Sequence, residues 1–449
     1  MAENYEYVIV GSGAGGGTVA ARLAEAGRSV LLLEAGGDPR APAAGAADQR
    51  VPDDYDVPAF HAYASENAAM KWDFFVRHYS DDSRQKRDEK FVAARDGILY
   101  PRAGTLGGCT AHNAMIMVYP HNADWDGIAA QTGDDSWGAE KMRSYFERLE
   151  DCCHRAPPPG GGSSGVNPTR HGWNGWLQTE VAIPKSALGD RELADVILES
   201  VREVYAHEGR PLNVLQRLLE GQGDPNDWHF VSNNSERVCY TPVATRGHQR
   251  MGSRERVLEV ARKLPDCLTI ELNALATKVI FDKSNRAIGI EYLKGEKLYR
   301  AHAEPSSDEG ERREVYASRE VILAGGAFNT PQLLMLSGIG PRADLERLGI
   351  PVLVDLPQVG KNLQDRYEIG VVNRMNFDHW QALEGATFAK GDRIYQQWAE
   401  ARQGVYATNG AVLAISKRSA PERALPDLFC FALLGLFKGY FPSYSKLFS

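Results

Sequence analysis

The sequence predicts an α/β fold, and three observations indicate it. The chain opens on a strand, a glycine-rich turn, a helix and a second strand. Further along, short buried-strand patterns alternate with helical periodicity, which is typical of sheets covered by helices. The 449 residues are 43% hydrophobic and 24% charged. That composition is ordinary for a globular protein and leaves room for two or three domains.

The opening unit begins with a buried-strand pattern at residues 7–10. The turn GSGAGG follows at 11–16 and leads into a helix of small residues. A second strand at 30–33 ends on Glu34. This order of elements is the first half of a dinucleotide-binding fold of the Rossmann type.

Each part of the opening unit has a physical role. Gly11 permits the tight turn, Gly13 lets the backbone approach a pyrophosphate, and Gly16 lets the helix pack closely on the strand. The helix N-terminus presents free N–H groups to phosphate. Glu34 can accept hydrogen bonds from an adenosine ribose. A glycine-rich turn between packed elements would explain the glycines but not the acid, so we expect dinucleotide binding, with NAD and FAD both open.

Later elements follow from periodicity and turn residues. The expected helices lie at residues 141–149, 193–205, 254–264 and 331–336. The expected strands lie at residues 72–76, 268–281, 287–292 and 320–324, and the apolar run at 428–437 is expected to be a buried strand or a core segment. The expected loops are a long one at 36–57, a mobile linker PPPGGGSSG at 157–165 and a solvated, charged hairpin loop at 303–314.

Charge and cysteine usage exclude several classes of function. A net charge of −8 makes an extended nucleic-acid surface improbable. The six cysteines show no CxxC or zinc spacing, and no metal site is predicted. Six histidines are scattered without metal-ligand spacing and are interpreted as structural or surface residues: His61, His78, His121, His154, His171 and His379. No signal peptide precedes the first strand, and the longest apolar run is too short to span a bilayer, so we expect a cytoplasmic protein with reduced thiols.

Three further segments carry a family resemblance. They are PRAGTLGGCTAHN at 101–113, GAFNTP at 326–331 running on to SGIG at 337–340, and DLPQVGKNLQD at 355–365. With the opening unit, they resemble the FAD-dependent glucose–methanol–choline (GMC) oxidoreductases, and especially choline oxidase- and choline dehydrogenase-like members. The resemblance covers nearly the whole chain and is least diagnostic at 150–250.

The resemblance implies FAD as the cofactor and assigns residues to it. The implied cofactor-binding residues are Gly11, Gly13, Gly16, Glu34, Arg102, Gly104, Gly107, Gly108, His112, Asn113, Ala276, Gly325 and Gly326. In choline oxidase-like relatives, the histidine matching His112 is bonded covalently to the flavin. The alternative is a histidine that packs beside a flavin held without a covalent bond.

The resemblance also implies the domain organisation. A Rossmann-type FAD-binding domain would comprise the discontinuous segments 1–150 and 240–345. A smaller α+β substrate-binding domain would comprise 151–239 and 346–449 and would be incomplete, because relatives continue well past this point. The apolar side chains of residues 428–437 would then lack some of their packing partners.

The activity implied by the resemblance is oxidation of a small-molecule alcohol by hydride transfer to the flavin N5, with oxygen or a quinone-type compound as electron acceptor. Relatives carry their catalytic histidine near the C-terminus, and no histidine follows His379 here, so no catalytic residue is assigned. Two alternatives stay open: an inactive, truncated FAD-binding fragment, or a half completed by another C-terminal polypeptide. An NAD-dependent dehydrogenase is a weaker alternative, because it leaves the segment at 101–113 unexplained.

Overall fold

The computed structural model describes residues 4–41, 50–158, 167–182, 189–204, 223–234 and 236–448. Within these ranges the α-helices are α1 (Ala14–Glu25), α2 (Asp53–Asp56), α3 (His61–Glu66), α4 (Asp82–Gln85), α5 (Asn122–Thr132), α6 (Ala139–Leu149), α7 (Arg191–Val204), α8 (Trp228–Ser232), α9 (Ser253–Lys263), α10 (Gly326–Leu336), α11 (Arg342–Arg347) and α12 (Arg393–Ala401).

The strands within the same ranges are β1 (Asn4–Val10), β2 (Val30–Leu33), β3 (Lys71–Val76), β4 (Ile98–Ala103), β5 (Glu150–Cys152), β6 (Leu177–Val181), β7 (Arg237–Cys239), β8 (Pro242–Val243), β9 (Leu268–Glu271), β10 (Ala274–Phe281), β11 (Ala287–Lys294), β12 (Glu311–Leu323), β13 (Ile339–Gly340), β14 (Val354–Asp355), β15 (Ala411–Lys417) and β16 (Leu428–Leu433).

The main sheet has six strands in the order β10-β11-β12-β1-β2-β9. Strands β12, β1, β2 and β9 run parallel, and Tyr7 in β1 pairs with Val30 on one side and with Glu320 on the other. Strands β10 and β11 extend the sheet in antiparallel fashion beyond β12. The α/β fold class is confirmed by this mostly parallel sheet with a helix connecting its central strands.

Both faces of the central strands are buried, which explains their continuous apolar sequence. Val8, Leu31 and Leu33 pack in one core cluster with residues of β10 to β12. Ile9 and Leu32 pack on the opposite face, against the small residues of α1 and against α9. Alternate residues along each strand therefore enter different cores, and each buried leucine stabilises the fold by about 1.5–3 kcal/mol.

The smaller sheets lie outside this layer. Strands β5, β6 and β8 form one three-stranded sheet, and β16, β15 and β7 form another. Strands β3 and β4 form a two-stranded antiparallel pair, and β13 and β14 form a parallel pair. All strands of the main sheet come from segments expected in the FAD-binding domain. Strand β8 also comes from these segments, but it pairs with β6, which comes from the expected substrate-binding domain. The exact domain bounds stay a prediction.

Most expected elements are present, and five differ from the structure. The segment expected at 428–437 contains β16, which ends at Leu433 and is an edge strand with exposed residues, not a buried one. Helix α10 begins at Gly326 rather than at residue 331. The expected start is Pro331, but that proline lies inside the helix. The strand expected at 268–281 is two strands, since Asn273 adopts a φ of 51° between them. The end of the expected loop at 303–314 belongs to β12, which begins at Glu311 and continues through the strand expected at 320–324. The long loop at 36–57 contains the short helix α2.

Two expectations fall partly outside the described residues: most of the linker at 157–165 and the last residue of the helix at 193–205. Of residues 428–437, Leu428 and Phe429 are exposed on the edge strand β16. The expectation that the segment lacks packing partners because its domain is incomplete stays a prediction. Among the described residues, no helix is both long enough and apolar enough to cross a membrane.

Candidate functional site

A cavity of about 450 Å³ opens at the carboxyl ends of β1, β2 and β12. In open α/β sheets this edge is where ligands bind. Its floor is the turn that follows β1 and the first residues of α1. Its walls come from β4, β10, α10 and the segment that follows β4. Aromatic side chains close one side: Trp72, Phe74, Tyr299 and Phe328.

Eight of the sequence-predicted residues line this cavity: Gly11, Gly13, Glu34, Arg102, Gly108, Ala276, Gly325 and Gly326. They come from four separate parts of the chain, so the fold brings together what the sequence predicted to act together. The other five predicted residues are not in the cavity wall: Gly16, Gly104, Gly107, His112 and Asn113.

Glycine is required where the turn and the helix meet. Gly11 has a φ of +96°, and a Cβ added there would lie 2.4 Å from the carbonyl oxygen of Ala324. A Cβ at Gly16 would lie 2.0 Å from the carbonyl oxygen of Gly11. These contacts confirm that Gly16 lets α1 approach the turn closely. Gly15, by contrast, has no protein atom within 4 Å of an added Cβ, so its hydrogen keeps part of the cavity open.

Glu34 binds the turn itself. Its carboxylate accepts hydrogen bonds from the Ser12 N–H at 3.0 Å, the Ser12 hydroxyl at 2.5 Å and the Gly36 N–H at 3.0 Å. The Ser12 hydroxyl in turn accepts a hydrogen bond from the Gly107 N–H at 2.9 Å. Burial raises the pKa of Glu34. The acid predicted to contact a ribose therefore also ties the two glycine-rich segments together, a role that the sequence did not reveal.

Arg102 is a cation of the cavity wall, and its guanidinium forms no ion pair or hydrogen bond with any residue in the described part of the chain. Across the cavity, α1 begins at Ala14 with no side-chain cap and no acidic residue in its first turn. The first N–H groups of a helix attract anions when they are left uncapped. An unpaired guanidinium and an uncapped helix N-terminus on one cavity are suited to a pyrophosphate.

His112 is buried, and neither of its ring nitrogens has a hydrogen-bond partner among the described residues. Burial, together with the positive charges of Arg250 and Arg102 and with His61, lowers the pKa of His112 to about 3. The imidazole is therefore neutral near pH 7. A buried and unpartnered imidazole is costly unless a bound group satisfies it, and a neutral imidazole nitrogen is nucleophilic.

Residues that sequence analysis missed hold the segment around His112. The buried Arg250 donates hydrogen bonds to the Thr110 carbonyl, the Asn113 carbonyl and the Asn113 side-chain oxygen at 3.2, 2.7 and 3.0 Å. The Ser253 N–H donates to the Thr110 hydroxyl at 3.1 Å, and the Ser253 hydroxyl donates to the Ser12 carbonyl at 2.7 Å. Because its side-chain oxygen accepts from Arg250, Asn113 points that oxygen towards the protein. Neither Arg250 nor Ser253 lies in a recognisable motif, so no signal in the sequence marked them.

Gly104 and Gly107 support the wall without lining it. A Cβ at Gly104 would lie 2.3 Å from the Trp72 ring, and that ring faces the cavity. Gly107 has a φ of +100° and donates to Ser12. Both glycines fit a segment that is wrapped closely around a cofactor. Arg102, the free N–H groups at the start of α1, the carboxylate of Glu34 and the apolar cavity walls together fit a dinucleotide.

Comparisons with known proteins support this interpretation. A family model described as GMC oxidoreductase matches residues 5–368. The oxygen-dependent choline dehydrogenases of Pseudomonas putida F1 and Pseudomonas fluorescens Pf-5 are 33% and 32% identical over 371 residues. Each alignment covers 82% of this chain and 54% of the relative. The chain therefore spans about half the length of the curated relatives it matches.

Solved structures agree on the fold. A formate oxidase of Aspergillus oryzae RIB40 superimposes with a TM-score of 0.66 at 20% identity, over 92% of this chain and 61% of the other. An FAD-dependent oxidoreductase from Chaetomium thermophilum superimposes with a TM-score of 0.65 at 24% identity, over 93% of this chain and 63% of the other. At these identities the superpositions support the fold alone.

Proposed function

The chain belongs to the GMC oxidoreductase family, and from that premise we propose that it binds FAD in the cavity at the carboxyl edge of the main sheet. The cofactor predicted from the sequence agrees with this family. The observation that carries the proposal is Arg102, a cation without a partner among the described residues, which lines the same cavity as the uncapped N-terminus of α1. The pair would neutralise a pyrophosphate.

The remaining residues would bind the other parts of the cofactor. Glu34 has acceptor capacity beyond the hydrogen bonds it makes to Ser12 and Gly36, and it would accept from the adenosine ribose. Ala276, on the edge strand β10, would contact the adenine. Gly325 and Gly326, at the start of α10, would lie against the middle of the cofactor. His112 and Asn113 belong to the segment that would face the flavin.

The proposed reaction is oxidation of the CH–OH group of a small alcohol. Bound FAD would supply the redox chemistry by accepting a hydride from the carbon that carries the hydroxyl. The curated relatives named as oxygen-dependent choline dehydrogenases support a choline-like alcohol as substrate and oxygen as electron acceptor. No described residue is assigned as the catalytic base.

A second candidate function is a cofactor-binding half that acts only with another polypeptide, or an FAD-binding fragment without activity. The exposed apolar side chains of β16 favour it. The NAD-dependent alternative is weaker, because the match over residues 5–368 is to the GMC family.

The first test is the visible absorption spectrum of the purified chain, recorded before and after acid precipitation. Flavin bands in the folded protein support the proposal, and a soluble protein that stays colourless after incubation with FAD contradicts it. Bands that remain with the precipitate indicate a covalent bond, and His112→Ala should then release them. Oxidation of choline by the coloured protein separates an active enzyme from a binding fragment.

Removal of the cavity cation is the sharper test. Arg102→Met keeps the length of the side chain but removes its charge, so FAD affinity should fall roughly 10- to 150-fold, the range for losing a charge-assisted hydrogen bond. The matched control is Arg191→Met, whose side chain is 88% exposed on α7 and should leave affinity unchanged. Equal affinities for the two variants, measured by flavin fluorescence, would place the pyrophosphate elsewhere.

A further inference from the structure

A second group of polar side chains lies away from the cavity, in the part of the fold that contains the β5-β6-β8 sheet. Cys152 ends β5, His154 follows it, His171 lies in the loop before β6, and Asp224 lies in the loop before α8. We call these four residues the Cys–His cluster. One ligand atom from each of Cys152, His154 and His171 lies within 4.8 Å of the other two.

The cluster is enclosed. The side chains of His171 and Asp224 are fully buried, that of His154 is 4% exposed, and Cys152 is buried. The His154 and His171 rings stand nearly perpendicular, at 89°, with centroids 5.8 Å apart. Burying this many polar atoms is costly unless a partner of opposite charge compensates them.

Hydrogen bonds on the outer side orient both imidazoles. His171 Nδ1 lies 2.8 Å from the Glu150 carboxylate, and His154 Nδ1 lies 3.2 Å from the Thr179 carbonyl oxygen. Both partners are acceptors, so each Nδ1 carries the hydrogen. In a neutral ring, the lone pair is then on Nε2 and points into the cluster. This arrangement is the usual outer shell of metal-binding histidines.

The inward nitrogens meet one oxygen. Oδ2 of Asp224 lies 2.9 Å from His154 Nε2 and 3.1 Å from His171 Nε2. His171 Nε2 is buried and has no aligned hydrogen-bond partner among the described residues. The other Asp224 oxygen accepts from the Asn226 N–H at 2.9 Å, which fixes the carboxylate. Two imidazole nitrogens and a carboxylate oxygen that converge in this way either share protons or bind a cation in their place. Arg155 Nη1 lies 3.8 Å from the same oxygen, outside the group of ligand atoms.

The distances suit a tetrahedral metal. Typical Zn–N and Zn–S bonds place neighbouring ligand atoms about 3.3–3.6 Å apart. Cys152 Sγ lies 3.6 Å from His154 Nε2 and 3.7 Å from His154 Nδ1, so the thiolate must turn away from Nδ1 to share an ion with Nε2. The Nε2 to Oδ2 distances are shorter than the tetrahedral value by only a few tenths of an ångström. A set of one thiolate, two imidazoles and one carboxylate is typical of Zn²⁺.

We propose that Cys152, His154, His171 and Asp224 bind a Zn²⁺ ion. Four protein ligands and full burial leave no open position, so the site is structural and not catalytic. The ion connects β5 to the loops before β6 and α8. It adds to backbone hydrogen bonds such as that from the Cys152 N–H to the Gly172 carbonyl at 2.8 Å, and its binding free energy stabilises this part of the fold. The alternative is a network of charged hydrogen bonds without metal.

The test uses the full chain, purified without chelators. Elemental analysis should find about one zinc per chain, removed by dialysis against a strong chelator and restored by Zn²⁺. Replacement by Co²⁺ should give the visible bands of tetrahedral coordination and a near-ultraviolet band from thiolate ligation. A wild-type protein that binds neither ion in stoichiometric amount overturns the proposal and favours the hydrogen-bonded network.

Variants identify the ligands. Cys152→Ser should abolish the thiolate band and weaken Zn²⁺ binding at least about 100-fold, because a hydroxyl replaces the thiolate ligand. Its matched control is Cys153→Ser, which changes the neighbouring, exposed thiol and should keep both band and affinity. Glu150→Gln should weaken binding about 10- to 100-fold through His171, as outer-shell changes do. Equal metal content in the two cysteine variants rules the site out.

A measurement on the wild-type protein covers the case in which Cys152→Ser does not fold. Zn²⁺ should slow alkylation of Cys152 but not of Cys153, as measured by peptide mass spectrometry. Equal alkylation rates of Cys152 with and without Zn²⁺ would overturn the proposal.

Discussion

At the scale of single residues, buried charge and its compensation decide what this chain can bind. Arg102 faces the cavity without a partner among the described residues, whereas Arg254 forms two hydrogen bonds with Asp38 at 2.6 and 2.8 Å. Arg254 therefore stabilises the fold, because it connects α9 to the residues that follow β2. Arg102 is available to a ligand, so two residues of the same type have separate roles.

His112 gives a pH-dependent prediction for the protein without cofactor. Its folded-state pKa of about 3 lies below the ordinary value of 6.5. Below pH 6.5 the unfolded chain therefore binds a proton on His112, whereas the folded chain does not. The free energy of unfolding falls as the pH drops from 6.5 towards 3. Between about pH 7.5 and 5, the wild-type protein should lose about 2 kcal/mol of unfolding free energy that His112→Asn retains.

Urea unfolding at the two pH values measures this difference. His379→Asn is the control, because His379 is exposed, and it should show the same pH dependence as the wild-type protein. If His112→Asn loses as much stability as the wild-type protein over this pH range, the histidine is not buried in its neutral form.

At the scale of elements, α1 depends on its contact with the turn that precedes it. Gly16→Ala would place a Cβ 2.0 Å from the Gly11 carbonyl oxygen, so the helix must move away from β1. We expect a loss of about 1–3 kcal/mol in the free energy of unfolding. Gly127→Ala, in α5, meets no atom within 4 Å and should instead gain about 0.5–1 kcal/mol. Chemical denaturation of both variants checks the pair, and a Gly16→Ala protein as stable as the wild type would contradict the close approach.

Elements with a strong local pattern could be predicted from the sequence, and those set by distant partners could not. The apolar run of β2 predicted its bounds, Val30–Leu33, without error. The charged residues at the start of β12 suggested a loop, but they pair with β11 in an antiparallel ladder. One face of that ladder is solvated, so charge does not exclude a strand there.

The candidate site divides in the same way. Glu34 could be predicted from its spacing to the first glycine turn, and Arg102 because it belongs to the segment at 101–113 that carries the family resemblance. Arg250 could not, because its role arises only when the residues just before α9 lie against the segment that follows β4, although the two are far apart in the sequence. The Cys–His cluster escaped for the same reason: its members come from three segments, and no spacing rule joins them.

At the scale of the whole molecule, the longest exposed stretch in the described part of the chain carries apolar side chains. Residues 360–374 are all exposed and lack regular structure. Tyr367 is 95% and Ile369 86% exposed. Apolar side chains in such a stretch contribute nothing to the core, so the backbone there is held weakly.

This stretch should be an early site of limited proteolysis. Trypsin should cleave after Arg366 and Arg374 well before it cleaves after Arg256 or Arg262 in α9, because cleavage requires an extended, accessible backbone. Mass spectrometry of the first fragments identifies the order. Cleavage in α9 at the same rate would mean that the stretch is protected, for example by a second molecule.

The pairing of β1 with β12 has a consequence for biosynthesis. Tyr7 lies beside Glu320 in the main sheet, so β1 lacks one of its two neighbours until the residues up to Glu320 have been made. At about 5–20 residues per second, that interval is roughly 15–65 s. During translation the edge of β1 is a ready template for other strands. We therefore expect the nascent chain to be more vulnerable to misassembly than the finished protein, and its yield in cells to depend on chaperones that occupy this edge.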